Sequence, residues 1–297
     1  MSSPAVGIVG LGNMGGRIAS RIQTGGGPLI GYDSDAARAA ERGIEAAGSL
    51  AALVAAVDVV LLSLPDSTVV EAVVRGEGGV LSACREGQIL VDLGTSSPGS
   101  TRELAAELAA RGVAMLDAGI SGGAAAAEKG TLTIMVGGDA EPLERVRPLL
   151  ETFSERVFHM GAAGSGHATK LLNNFLNAVT LAATAEVMVA ARMAELDLHQ
   201  VLDVINSSSG VSFSSLNRFP RIVDGDYLEG GLTSRLMLKD VTLYLDMLHE
   251  LGAPSLNVSG PMASFGLALG LGYGDVISNR VVDAIGDVAG GVRVNAG

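Results

Sequence analysis

The sequence contains no tryptophan, one cysteine, three lysines and only 3% aromatic residues. A lone Cys84 forms no internal disulfide, so the fold must rest on packing, and a reducing compartment is expected. Basic residues are scarce, with 20 Lys and Arg against 32 Asp and Glu, a formal charge of -12. That balance argues against a surface that tracks nucleic-acid phosphates, which needs clustered positive charge. Long apolar runs are lacking as well. The longest uncharged window, residues 251–274, is broken by Pro254, Pro261 and several Ser and Gly, unlike the ~20 apolar residues of a membrane span. The first sixteen residues lack the basic segment that opens a secretion signal. These absences lead to the expectation of a cytoplasmic protein with neither membrane nor nucleic acid as partner.

What is present is apolar material in quantity: 48% hydrophobic and 18% charged residues exclude a mainly disordered chain. At roughly 100–200 residues per domain, 297 residues imply two domains. The basic residues are seventeen Arg and three Lys, namely Lys129, Lys170 and Lys239. Arginine keeps its proton at any working pH, whereas burial can lower the pKa of lysine, so the few lysines retained are candidates for chemistry.

Short β-branched runs alternate with Ala-rich helical patterns over the first 160 residues, the mark of βαβ units on a parallel sheet. Strands are expected at 5–10, 28–33, 58–64, 88–92, 113–117, 131–136 and 156–160, and helices at 13–23, 34–42 and 101–111. Ser49 and Asp66 precede apolar helical runs and fit helix N-caps. Beyond a glycine cluster at 161–166 the texture becomes helical throughout. A long helix is expected over 165–196, followed by helices at 199–207, 236–251, 261–271 and 276–288. The expected architecture is a doubly wound α/β domain of Rossmann type, 1–162, and an all-α domain, 163–297, opened by the long helix.

Three constellations carry chemistry. Gly10-Leu11-Gly12-Asn13-Met14-Gly15 follows the first strand directly and opens a helix, which lets the backbone approach a pyrophosphate and sets it on the positive end of that helix. In a chain with 41 glycines the motif alone is weak, but the second strand ends in Asp33, 23 residues past Gly10, where a carboxylate can accept from both ribose hydroxyls of NAD. A 2′-phosphate about 4 Å from that carboxylate would meet repulsion of about 4 kcal/mol at an effective dielectric of 20, so NAD is expected over NADP. Arg38 could grip such a phosphate, but its position in the next helix reads as a solvated face.

The second constellation, Asp117 to Gly123, ends the 113–117 strand in a turn where the Ser121 hydroxyl and the bare backbone of Gly122 and Gly123 form a nest for a carboxylate. In the third, Lys170 and Asn174 lie four residues apart and share a helix face, pointing toward an interdomain cleft. His167, one turn before Lys170, reads as a packing or solvated residue. The other histidines show no metal-ligand spacing, and no metal is expected.

Together these motifs resemble the β-hydroxyacid dehydrogenase family, which includes 3-hydroxyisobutyrate dehydrogenase and tartronate semialdehyde reductase. GLGNMG at Gly10, DAGISGG at Asp117, GxGxxxKxxxN from Gly164 to Asn174, and Lys239-Asp240 match its four signature regions in order and spacing. The chain departs at Gly119, where the family usually has proline; a loosened loop is expected there. The resemblance implies a Rossmann domain followed by a helical domain, and a homodimer or homotetramer. It places Leu64, Pro65 and Thr95 near the nicotinamide half of the cofactor, with Lys239 reaching cofactor or substrate and Asp240 a lesser substrate contact.

The expected reaction moves a hydride between nicotinamide and a short 3-hydroxy acid or its semialdehyde. Free lysine, with a pKa of about 10.4, is a ready acid for aldehyde reduction and needs burial to serve well as a base. Lys170 takes that role, Asn174 orients the substrate and Lys170, and Ser121, Gly122 and Gly123 hold the carboxylate. Imine reductases share the fold but usually carry Asp or Tyr in place of the lysine, and non-catalytic NAD(H)-binding sensors lose it. Threonate- or glycerate-type sugar acids remain an alternative substrate branch. The Phe213, Asn217 and Arg218 segment resembles an Asn-Arg-x-Pro run of sugar-acid-active relatives; it fits either the substrate end or a plain helix and turn.

Overall fold

Four-residue apolar strands buried on both faces build the center of the first unit. The structure, a computed structural model, describes residues 4–295. The chain divides into two compact units, one running to Lys170 and the other from Leu171. In chain order the first unit contains β1 (Val6–Val9), α1 (Asn13–Thr24), β2 (Leu29–Tyr32), α2 (Ala37–Glu41), β3 (Glu45–Ala46), α3 (Leu50–Ala56), β4 (Val59–Leu62) and α4 (Ser67–Arg75). It continues with α5 (Val80–Ala83), β5 (Ile89–Asp92), α6 (Pro98–Ala109), β6 (Ala114–Ser121), α7 (Gly123–Lys129), β7 (Leu132–Gly137), α8 (Ala140–Leu150) and β8 (Ser154–Gly161).

The eight strands form one sheet in the order β3-β2-β1-β4-β5-β6-β7-β8. Every pairing is parallel except β6 with β7. Strands β1, β4 and β5 are buried at every position because helices cover both faces, as parallel sheets require. Two apolar clusters result, one centered on Ile8, Ile18, Leu61 and Phe153, the other on Leu53, Val60, Leu90 and Leu104. The strand order reverses between β1 and β4, and a ligand crevice is expected outside the carboxyl ends of strands at such a switch point.

Ser49 and Asp66 cap α3 and α4 as expected, accepting from the backbone N–H of Ala52 and Val69. One expectation fails. Strand β6 does not stop at Asp117 but runs to Ser121, with Gly119 opposite Met135 and Ser121 opposite Thr133. Gly119 therefore lies in a paired strand rather than in a loosened loop, because β7 returns antiparallel and supplies the ladder.

The second unit is helical. Helix α9 (Ser165–Met193) begins before it and continues into it, followed by α10 (Leu198–Asn206), a π-helical turn (Ser214–Arg218), α11 (Phe219–Val223), α12 (Ser234–Leu251), α13 (Ser259–Gly270), a 3₁₀ turn (Ser278–Arg280) and α14 (Val281–Val288). Helix α9 has the length and composition of a membrane span, although Lys170, Glu186 and Arg192 interrupt its apolar sequence. Within the second unit its Phe175, Ala178, Leu181, Ala185 and Met188 belong to the core. Phe175 stacks on Tyr244 of α12 with ring centroids 4.0 Å apart.

Candidate active site

The glycine turn after β1 is shaped by close backbone approach. Gly10 has φ +92°, and a Cβ there would meet the Ser63 carbonyl oxygen at 2.3 Å; one on Gly15 would meet the Gly10 oxygen at 1.9 Å. No side chain caps α1, and its first turn carries no acid, so its positive end is left for an anion. Leu11 points its side chain into the core, which leaves only its backbone near the turn. Asn13 is exposed at the start of α1, where its side chain accepts from Arg17, and Met14 packs on the core.

Asp33 follows β2. Its carboxylate accepts the backbone N–H of Leu11 at 2.7 Å and of Asp35 at 2.9 Å, which ties the strand end to the glycine turn. Arg38 lies on an exposed helix face, as expected, yet reaches back to the turn. Its Nη1 lies 3.7 Å from Asp33 and 3.1 Å from where a Cβ on Gly12 would stand, so it leans on the turn itself.

The loops after β4 and β5 join the same edge of the sheet. A Cβ on Gly10 would touch Leu64 at 3.2 Å, and one on Gly94 would lie 3.2 Å from the Leu64 carbonyl oxygen. Pro65 is exposed beside Leu64. Thr95 stands in a pinned loop, in which Asp92 accepts from Gly94 N and Ser96 Oγ, both at 2.9 Å, and Ser67 Oγ accepts from Ser97 N at 2.8 Å.

Two acids organise the approach to Lys170: Asp92, absent from the expected site, and Asp117, which opens the second constellation but has no role assigned to it there. Asp92, the last residue of β5, pairs in register with Asp117 inside β6, and both are fully buried. Asp117 accepts the backbone N–H of Gly164 and of His167, each at 2.8 Å, and so caps the first turn of α9 from a neighboring strand. His167 is fully buried, which excludes the solvated reading. Its Nδ1 is 2.8 Å from Thr101 Oγ1 and its Nε2 is 3.7 Å from Asp92. The available signal is a repeated Asp-x-Gly pattern, starting at Asp92, which closes β5, and at Asp117, which lies within β6.

Gly166 reinforces this seat, since a Cβ there would meet the carbonyl oxygens of Asp117 and Met135 at 2.4 and 2.5 Å. One turn later Lys170 is 8% exposed, with its Cβ only 2.7 Å from where a Cβ on Gly119 would be. Ser121 is half-buried, while Gly122 and Gly123 are exposed with φ of +129° and +69°.

In the second unit Asn174, buried on α9, donates from Nδ2 to Asp240 at 2.5 Å. Lys239 Nζ lies 3.1 Å from the other Asp240 oxygen. Asp240, itself buried, thus has Asn174 against one oxygen and Lys239 beside the other.

Bare glycine backbone beneath a helix N-terminus, beside an acid at the switch point of a doubly wound sheet, defines a dinucleotide-binding oxidoreductase. The model of the NAD binding domain of 6-phosphogluconate dehydrogenase matches residues 5–161, and a model described as NAD-binding of NADP-dependent 3-hydroxyisobutyrate dehydrogenase matches residues 164–275. The chain is 33% identical to 2-(hydroxymethyl)glutarate dehydrogenase of Eubacterium barkeri over 98% of each chain. It is 36% identical to NAD-dependent L-serine dehydrogenase of Pseudomonas aeruginosa over 89% of this chain and 90% of that one. A solved structure of Mycobacterium tuberculosis 3-hydroxyisobutyrate dehydrogenase with L-serine superposes with a TM-score of 0.84 at 30% identity, covering 95% of this chain and 98% of that one. The chain belongs to the β-hydroxyacid dehydrogenase family. It is a nicotinamide-dependent oxidoreductase acting on the hydroxyl group of a hydroxy acid.

Proposed function

We propose that the enzyme oxidises a short 3-hydroxy acid, or reduces the matching semialdehyde, with Lys170 as general acid and base. The observation that carries this reading is the seat of Lys170: a buried lysine pressed on Gly119 at the end of a helix turn that Asp117 fixes from below. Three named relatives support the substrate class, because 2-(hydroxymethyl)glutarate, L-serine and 3-hydroxyisobutyrate each carry a hydroxyl on the carbon β to a carboxylate.

The nicotinamide supplies the hydride chemistry when bound. Gly10, Gly12 and Gly15 with the backbone of Leu11, Asn13 and Met14 would hold the pyrophosphate, Asp33 the adenosine ribose, and Leu64, Pro65 and Thr95 the nicotinamide half. Ser121, Gly122 and Gly123 hold the substrate carboxylate. Lys170 takes the hydroxyl proton in oxidation and returns it in reduction. Asn174, fixed by Asp240, orients the reacting oxygen, and Lys239 adds positive charge for an anionic ligand.

NAD is the preferred cofactor in this reading, since the Asp33 carboxylate repels a 2′-phosphate. Arg38 beside it softens that repulsion, so the preference is one of degree. Cytoplasmic location and a homodimer or homotetramer complete the proposal. Lys170 weighs against an imine reductase or a cofactor sensor on the same fold. Turnover of short 3-hydroxy acids with NAD⁺, absent in Lys170→Ala, tests the whole reading. Equal turnover in the variant would refute it.

A further inference from the structure

Most arginines of the first unit meet an acid: Arg17 pairs with Glu128, Arg38 with Asp33, Arg75 with Glu107, Arg85 with Asp58, Arg145 with Glu141 and Arg147 with Glu144. Arg21 and Arg42 do not. Among the described residues neither makes a hydrogen bond or an ion pair. Both face one hollow of about 340 Å³, which Arg17, Ser20, Thr24 and Glu128 also line. That volume lies at the small end of the range for small-molecule sites, roughly 300–1,000 Å³. In a chain of formal charge -12, this lining sets three arginines against one glutamate, a local excess of two positive charges.

Local structure makes room for these side chains. Arg17, Ser20, Arg21 and Thr24 recur at helical spacing along one face of α1, while Ile18, Ala19 and Ile22 turn to the core. Arg42 follows α2 and lies against Gly16, where a Cβ would stand 2.8 Å from its Nε. Arg21 lies against Gly130 at the end of α7, where a Cβ would stand 2.7 Å from its Nη2. Two glycines thus leave the space that two guanidinium groups occupy.

The Ser20 and Thr24 hydroxyls donate to the backbone carbonyls of Gly16 and Ser20, so the donors left for a ligand are guanidinium N–H groups. An arginine in the last turn of a helix also answers the negative end of that helix. Arg21 goes beyond this role, because its Nε is sealed from solvent and has no partner, which desolvates part of the charge without an acceptor to compensate. An anion on the outer nitrogens supplies the missing charge. Converging guanidinium groups match phosphate oxygens. Charge decides between anions: a carboxylate would neutralise half of the excess, whereas a phosphate ester carries about -1.5 to -2 at pH 7.

We propose that this hollow binds a phosphate group, held by Arg21 and Arg42 with Arg17 at its rim, in a site separate from the dinucleotide turn. The separation follows from helix geometry, since Arg21 lies eight residues beyond Asn13, about 12 Å along the axis of α1. The phosphate is either the free ion or part of a small phosphorylated metabolite, and the two sources are told apart by affinity.

Calorimetric titration of the full-length protein tests the site, with glycerol 3-phosphate, inorganic phosphate and acetate as probes, in the presence and absence of saturating NAD⁺. Wild type is compared with Arg21→Gln, Arg42→Gln and Arg21→Lys, and thermal melting of each variant controls for folding. Glycerol 3-phosphate is expected to bind wild type with or without NAD⁺, and about tenfold or more weakly to either Gln variant. Arg21→Lys, which retains the charge, is expected to keep part of the affinity. Inorganic phosphate that binds as tightly as the ester assigns the site to the free ion, and weaker binding assigns it to a phosphorylated metabolite; either result upholds the proposal. No binding of either phosphate, binding undiminished in both Gln variants, or acetate bound as tightly as phosphate overturns it. Phosphate binding that disappears on saturation with NAD⁺ overturns it too, because the anion would then sit on the dinucleotide turn.

Discussion

Gly119 and Lys170 pack so closely that a methyl group on Gly119 would stand 2.7 Å from the Lys170 Cβ and 3.0 Å from its Cγ. Both distances lie well inside ordinary carbon contact. The contact involves the rooted end of the lysine side chain, so the stem, the helix turn or the strand must shift to relieve it. Gly119→Ala is therefore expected to displace Lys170 and lower kcat by about 10- to 100-fold, with NADH affinity nearly unchanged. Steady-state kinetics with a parallel NADH titration check this; an unaltered kcat would show that the close packing has no catalytic consequence.

Asp33 joins two tasks, bracing the glycine turn through Leu11 N and meeting the adenosine ribose in the proposed complex. Asp33→Ser is expected to raise KM for NAD⁺ and to reduce the preference over NADP⁺ by about tenfold or more, because the repelling charge is gone while Arg38 stays beside the site. The ratio of kcat/KM values for the two cofactors measures it. A ratio unmoved by the substitution would place discrimination elsewhere.

The buried Asp117 carboxylate accepts two backbone N–H groups that have no water to turn to. Asp117→Ala should cost about 2 to 5 kcal/mol of stability, the range for orphaning buried donors, and Asp117→Asn less because one acceptor oxygen remains. Urea unfolding of the two variants gives the comparison. Activity is expected to fall with Asp117→Asn beyond what the stability change explains, since the first turn of α9 positions Lys170.

Asp58 provides a pH-dependent contribution far from the chemistry. Hydrogen bonds from Arg85, at 2.6 Å, and from Ala5 N, at 3.0 Å, hold its carboxyl below the ordinary value of 3.8. A lowered folded-state value stabilises the protein above pH 3.8, and the contribution disappears as pH falls through the lower folded value. Because both side chains are about half exposed, the effect at neutral pH is expected to be about 1 kcal/mol or less. Asp58→Asn should lower the thermal midpoint slightly at pH 7 and leave it unchanged well below pH 3; the same deficit at both values would contradict the assignment.

The alternation of β-branched runs and Ala-rich segments revealed the sheet and its helices because the central strands β1, β4 and β5 are buried on both faces and so are apolar but for Asp92 at the end of β5. Strand β3 was missed, since two exposed residues at a sheet edge leave no pattern. The extension of β6 through Gly119 to Ser121 was hidden for a different reason: the ladder is supplied by β7, a partner outside the local sequence. At the site, Gly10 to Gly15 and Asp33 were legible because a pyrophosphate turn needs fixed spacing. The Asp92, Asp117 and His167 cluster was not, as its members come from three separate elements and meet only in the folded unit. Likewise, Asp240 is expected as a lesser substrate contact, and its hydrogen bond with Asn174 shows only in the folded unit.

The most direct test of the central claim is single-turnover oxidation of a 3-hydroxy acid by the NAD⁺-loaded enzyme and its Lys170→Ala variant, followed by NADH absorbance. The expected result is a loss of about 10²- to 10⁴-fold in the rate of hydride transfer, with NAD⁺ affinity within about twofold of wild type. Retained hydride transfer in Lys170→Ala, or loss of NAD⁺ binding in its place, would contradict a catalytic role for this lysine.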